Sequence, residues 1–177
     1  LLQCQRIAPV LVFDRKHYAY GDLPSGYQVT QKRVPIGRAG IFGGFLIRQV
    51  HMEQDTASAM HSHGEPSAFP EGSLQRYQRS GLPLLEIVTE PMLFENGEAA
   101  DSVVCFYSRL KTHLRWHRIA DCRLQEGGMR VDLNISLHHD DRSILGFKHE
   151  VKNVFGSGRL QAAITGMTRI LSTESIG

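Results

Sequence analysis

The strongest constraint on this chain lies in Met129 to His138 (MRVDLNISLH). Met129, Val131, Leu133, Ile135 and Leu137 are apolar there, and Arg130, Asp132, Asn134, Ser136 and His138 are polar. Successive side chains on a strand point to opposite faces, so a strict period of two predicts a half-buried strand with one open face. After the polar loop His139 to Ser143, the stretch Phe147 to Val154 alternates again and groups Lys148, Glu150 and Lys152 on one side. A short loop between neighbouring strands most simply gives an antiparallel hairpin with its two polar faces side by side.

Other segments carry different periods. From Asn96, a plausible N-cap, Ala100, Val103, Tyr107, Leu110 and Leu114 recur at steps of three and four, which predicts a helix. A second helix is expected from about Arg159 to Leu171, with Leu160, Ile164, Met167 and Leu171 as its apolar stripe. Upstream, Phe45 to Asp55 reads as a strand with Leu46, Val50 and Met52 on one face and His51, Glu53 and Asp55 on the other. Pro83 to Thr89 reads as a buried strand with Glu86 at its middle, and Ser62 to Gly72 as a mobile loop. Strands, then a helix, then a hairpin and a helix predict an α+β fold, an antiparallel sheet with packed helices, and not a doubly wound parallel sheet.

Composition narrows the class. A length of 177 residues with 41% hydrophobic content suits one domain with a real core and excludes disorder as the main description. Twenty Lys+Arg against 18 Asp+Glu give a net charge of +2, which excludes a large basic nucleic-acid surface and leaves room for a local patch. The longest apolar stretch, Ala39 to Ile47, is broken by glycines and far short of the roughly 20 residues that span a bilayer, so no membrane insertion is expected. Three cysteines without a C-x-x-C pair indicate neither a disulfide framework nor a cysteine zinc site. The chain opens Leu1-Leu2-Gln3 and stops just after a helical pattern, so it is expected to be a piece of something longer.

Several chemistries are excluded by missing motifs. Neither G-x-x-x-x-G-K-[ST] nor G-x-G-x-x-G is present, so ATP use would not be of the P-loop or Rossmann type. No G-x-S-x-G elbow appears. His113 and His117 stand four apart but lack the glutamate of a zincin helix, and a solvated or RNA-facing edge fits them better than zinc.

Two groups remain as candidates. The hairpin's open face would gather Arg130, Asp132, Asn134, Glu150 and Lys152 over about 10 to 15 Å. Hard oxygens with Lys or Arg suit magnesium and polyphosphate, and they equally suit an ordinary solvated strand face with cross-strand ion pairs. Glu86, within Leu84-Leu85-Glu86-Ile87-Val88, needs a metal, a cation or a hydrogen-bond network if it is buried, or else points to solvent from a one-sided strand. With Glu53, Asp55 and Asp132 it forms a set of strand-borne acids consistent with magnesium coordination.

A series of blocks carries a resemblance. These are Phe13 to Tyr18 (FDRKHY), Asp22 to Gln28 (DLPSGYQ), His51 to Asp55 (HMEQD), Arg79 to Pro91 (RSGLPLLEIVTEP), Glu126 to Ser136 (EGGMRVDLNIS) and Glu150 to Asn153 (EVKN). In this order they resemble the B-subunit family of glutamyl-tRNA(Gln) amidotransferases from about Phe13 to Leu171.

The resemblance implies one component of an ATP-dependent ligase. It would phosphorylate the glutamyl carboxylate of Glu-tRNA(Gln), and ammonia from a glutaminase partner, the A subunit, would then displace phosphate to give Gln-tRNA(Gln). The complex would be a heterotrimer completed by a small third protein, the C subunit. The resemblance also implies a partial cradle domain over residues 1–177, similar to the glutamine synthetase catalytic fold, with a site strand upstream and helical and tail domains downstream. ATP and Mg2+ would be the cofactors. Glu86, Glu53 and Asp132 would hold the metal, Glu86, Asp132, Glu150 and Lys152 would be catalytic, and Arg130, Asn134 and Lys152 would bind the nucleotide. The family's bacterial members carry two consecutive acids where this chain has Glu53-Gln54, and an aspartate where it has Met92. The likeness to organellar members implies a mitochondrial location. The competing reading is a non-catalytic module that docks the glutaminase partner or tRNA through Arg109, Lys111, Arg115 and Arg118.

Overall fold

A computed structural model of the chain describes residues 2–60, 74–95, 97–123, 128–139, 141 and 143–174. In chain order its elements are β1 (Arg6–Ile7), β2 (Asp14–His17), β3 (Tyr27–Thr30), β4 (Gly37–Phe42), β5 (Phe45–Gln54), β6 (Ser58–Met60), β7 (Leu74–Arg76), β8 (Pro83–Thr89), α1 (Ala99–Trp116), β9 (Val131–His138), β10 (Ile144–Val154) and α2 (Ser157–Glu174). All strand pairs among the described residues are antiparallel, and with the two helices they make the expected α+β class. The chain divides into two compact units, Leu1–Met92 and Leu93–Gly177. The expected N-cap Asn96 and the expected loop at Ser62 to Gly72 lie outside the described residues. No described helix is long and apolar enough to cross a membrane.

The first unit is built on a four-stranded sheet in the order β1-β4-β5-β8. Gly43 and Gly44 turn β4 into β5 with φ of 60° and 89°, a left-handed conformation that glycine adopts without strain. β5 then departs from simple alternation. Its pairing with β8 steps from Ile47↔Thr89 to Gln49↔Val88, so Arg48 is an extra residue, and Ala39 of β4 has φ 52° at the same level. Such a bulge moves every later side chain to the other face. Ile47 and Val50 are therefore both buried, at 1% and 8% exposure, while Leu46 is 57% exposed. This corrects the expectation that Leu46 would share an apolar face with Val50 and Met52.

β4 pairs with β5 only as far as Gly37↔Val50, which leaves the next stretch of β5 without that neighbour. Two glutamines near the end of the β2–β3 hairpin take its place. Gln31 Oε1 accepts the Met52 N–H at 2.9 Å, and Gln28 Nε2 donates to the Gln54 carbonyl at 2.8 Å. Buried backbone polar groups must find partners, which explains how Gln31 and Gln28 come to be 0% and 7% exposed.

The second unit is the expected hairpin with two helices. Tyr107, Val154, Leu160 and Ile164 form its core cluster, and Val131, Leu133 and Ile135, the apolar set of β9, pack against it. Asn134 lies opposite Glu150, so the polar residues do share a face. The strand begins at Val131, which leaves Met129 and Arg130 just before it, and β10 begins at Ile144, ahead of the expected Phe147. Gly146, at φ 72°, accommodates the irregularity that adds these residues. α2 begins at Ser157, two residues before Arg159.

Candidate metal centre

Three side chains of the first unit converge. His51 on β5 and Glu86 on β8 are direct cross-strand partners, and Glu53, two residues along β5, lies on the same face. His51 Nε2 is 3.2 Å from Glu53 Oε1 and 3.3 Å from Glu86 Oε2. Their ligand atoms all lie within 4.8 Å of one another, and this is the one such group of three or more His, Cys, Asp or Glu found among the described residues. The His51 side chain is 7% exposed and that of Glu53 16%, whereas Glu86, at 47%, opens the group to solvent.

Glu53 and His51 are held by further contacts. Glu53 Oε1 also accepts the Thr30 hydroxyl at 2.8 Å, and its Oε2 accepts Gln28 Nε2 at 3.2 Å. The Tyr18 hydroxyl reaches Gln28 Oε1 at 3.4 Å. On the far side of the ring, the Gln49 carboxamide is 3.3 Å from His51 Nδ1, and by presenting its oxygen or its NH2 it can partner either protonation state.

The electrostatics follow from these contacts. Hydrogen bonds to Glu53 and Glu86 raise the His51 pKa from 6.5 to about 9, against the opposing effect of burial. Burial pushes Glu53 up, but hydrogen bonds from His51 and Thr30, with the charges of His51 and Lys16, hold it below its ordinary value. A proton on His51 thus joins two carboxylates. A divalent cation would satisfy the same electrostatic need: the two carboxylates are the hard oxygen donors that Mg2+ or Mn2+ prefers, and the imidazole is a softer nitrogen donor beside them. The residues present fit a metal ion.

The expected site residues divide between the units. Glu53 and Glu86 stand together in the first. Asp55 has a different role: its carboxylate is 8% exposed and paired with Arg79 at 3.0 Å, and its backbone bonds Leu82 and Gly81. Gln54 alternates with Glu53 along β5, and it borders an open cavity of about 250 Å³ that Phe13, Val29, Met52, Glu53, Gly81 and Pro83 also line. Gln54 is not a member of the converging His51–Glu53–Glu86 group.

Asp132, Asn134, Glu150 and Lys152 belong to the exposed face of the β9–β10 hairpin, with Arg130 just ahead of it. Asp132 Oδ1 accepts the Asn153 N–H at 2.8 Å, holding a bulge in which Asn153 has φ 58°. Lys152 Nζ is 3.4 Å from Glu150 Oε2, with both side chains about half exposed, the geometry of a weak surface pair. On α1, the His113 and His117 rings meet edge to face at 4.6 Å between centroids.

Sequence reasoning placed His51 on a face with two acids but did not name it as a ligand, and it missed Thr30 and Gln28. Periodicity gave no signal for them, because the alternation of β3 is inverted. There the polar Gln28 and Thr30 are buried, at 7% and 5%, while Tyr27 and Val29 are only partly covered.

Comparison with known proteins shows the family. Residues 1–170 match the family model described as the GatB/GatE catalytic domain. The B subunit of the aspartyl/glutamyl-tRNA(Asn/Gln) amidotransferase of Moorella thermoacetica is 37% identical over 175 residues, covering 92% of this chain and 34% of that protein. The mitochondrial B subunit of the glutamyl-tRNA(Gln) amidotransferase of Aedes aegypti is 39% identical over 172 residues, 89% of this chain and 30% of that one. The chloroplastic/mitochondrial B subunit of the Physcomitrium patens enzyme is 37% identical over 164 residues, 86% of this chain and 28% of that one. The chain spans about a third of the length of these relatives. With a family model covering nearly all of it and relatives at this identity, the chain belongs to the GatB/GatE catalytic-domain family.

Proposed function

We propose that the protein containing this chain amidates Glu-tRNA(Gln) as the B subunit of a tRNA amidotransferase, using ATP and Mg2+ together with a glutaminase A subunit and a small C subunit. The glutamyl carboxylate would attack the γ-phosphorus of ATP, ADP would leave, and ammonia would then displace phosphate to give Gln-tRNA(Gln). The observation that carries this reading is the convergence of His51, Glu53 and Glu86 within 4.8 Å in a chain of this family.

His51, Glu53 and Glu86 would hold the metal, which when bound neutralises phosphate charge. Glu86, the exposed member, would face the nucleotide. In the second unit, Arg130, Asn134 and Lys152 are proposed to bind nucleotide phosphate, and Asp132 and Glu150 to contribute acid groups to the chemistry. A mitochondrial location is likewise proposed. It is supported by the organellar relatives, and imaging the tagged full-length protein tests it.

The deciding experiment assays the full-length chain with its partner subunits for ATP-dependent conversion of Glu-tRNA(Gln). Glu86→Ala is expected to abolish Mg2+-dependent ATP binding and conversion, and unchanged conversion would remove Glu86 from the site. A folded parent complex that converts nothing would favour a docking role through Arg109, Lys111, Arg115 and Arg118.

A further inference from the structure

We propose that Thr30 and Gln28 of the β2–β3 hairpin are positioning residues for the metal centre, holding the Glu53 carboxylate in the orientation in which its Oε1 meets His51. The inference rests on the reading of His51, Glu53 and Glu86 as a metal site. Glu53 Oε1 receives the Thr30 hydroxyl at 2.8 Å and Oε2 receives Gln28 Nε2 at 3.2 Å, so both oxygens are tethered from the same strand. A carboxylate oxygen carries about two lone-pair sites, and Oε1, which accepts the Thr30 hydroxyl, still lies 3.2 Å from His51 Nε2. Thr30 and Gln28 are 5% and 7% exposed, positions where apolar side chains would ordinarily pack. Burying a hydroxyl and a carboxamide costs free energy that only their hydrogen bonds offset: Thr30 donates to Glu53, and Gln28 donates to Glu53 and the Gln54 carbonyl and accepts from Tyr18. Partners that orient a ligand typically change metal affinity about 10- to 100-fold when removed.

The test uses the full-length chain in complex with its partner subunits and titrates Mn2+, following the free ion by electron paramagnetic resonance, with thermal melting of the metal-free complexes alongside. Thr30→Val keeps the shape and removes the hydroxyl, and it is expected to weaken Mn2+ binding about 10- to 100-fold. Thr30→Ser restores the donor and is expected to bind near the parent value, a rescue that a purely packing role would not produce. Gln28→Met removes the second tether and is expected to weaken binding as well, so the proposal stays open to test if Thr30→Val does not fold. Folded Thr30→Val or Gln28→Met binding Mn2+ as the parent does would overturn the positioning role, as would a Thr30→Ser complex no better than Thr30→Val. A parent complex that binds no Mn2+ would overturn the metal site itself, and this inference with it.

Discussion

His51 is the residue on which the centre turns, because it is the cation among two acids when no metal is bound. Its folded pKa of about 9 lies above the ordinary 6.5, owing first to Glu53 and then to Glu86. A group whose pKa is raised on folding stabilises the folded state fully below its unfolded pKa and loses that contribution as pH rises through the folded value. In the metal-free chain this contribution is expected to be complete below about pH 6.5 and to fade towards pH 9. Melting temperatures in a chelating buffer across that window measure it. Glu53→Gln removes the larger of the two hydrogen-bonding causes, so the His51 ring is expected to titrate well below pH 9 in that variant, read from its imidazole NMR shifts.

At the scale of elements, the centre depends on two ways of finishing β5. On one side the sheet is closed so tightly that a Cβ on Gly40 would come 2.6 Å from the Leu2 carbonyl oxygen and 3.2 Å from Ile47 Cβ. Gly40→Ala must push backbone aside and is expected to cost about 1–3 kcal/mol in denaturant unfolding. Further along, Gln31 completes the ladder where β4 stops, so Gln31→Ala leaves the Met52 N–H unpartnered and is expected to cost about 1–3 kcal/mol. An unchanged midpoint in either variant would mean that the edge rearranges without cost.

The strand and helix periods in the sequence announced most of these elements. Phe45–Gln54 ends one residue from the expected Asp55, Pro83–Thr89 matches in its bounds but not in the expected burial, since none of its residues is buried, and the two helices hold the expected apolar stripes. The bulge at Arg48 was not legible, because it depends on the partner strands and on the unusual φ of Ala39. The short strands β1, β2 and β3 were not legible either. They carry no long alternation, and in β3 the polar residues are the buried ones.

At the scale of the whole molecule, the chain forms two compact units, and the second has its own core cluster. Leu160, 1% exposed within the cluster of Tyr107, Val154 and Ile164, anchors the second. Leu160→Ala is expected to destabilise that unit by about 2–5 kcal/mol, read as lost hydrogen-exchange protection in α1, α2 and the β9–β10 hairpin.

The order of residues along the chain settled what is local: the periods that make strands and helices, and the blocks that carry the family. Whether acids so far apart in the chain share a site was not local. Glu86 meets His51 because β8 pairs with β5 in one register, and a slip of one residue would have turned it to the other face. Asp55, two residues after Glu53, lies past the last residue of β5 and pairs with Arg79 instead. The choice between these acids was made by the folded chain, because register and burial are set by long-range pairing, and periodicity along a single strand does not contain that information.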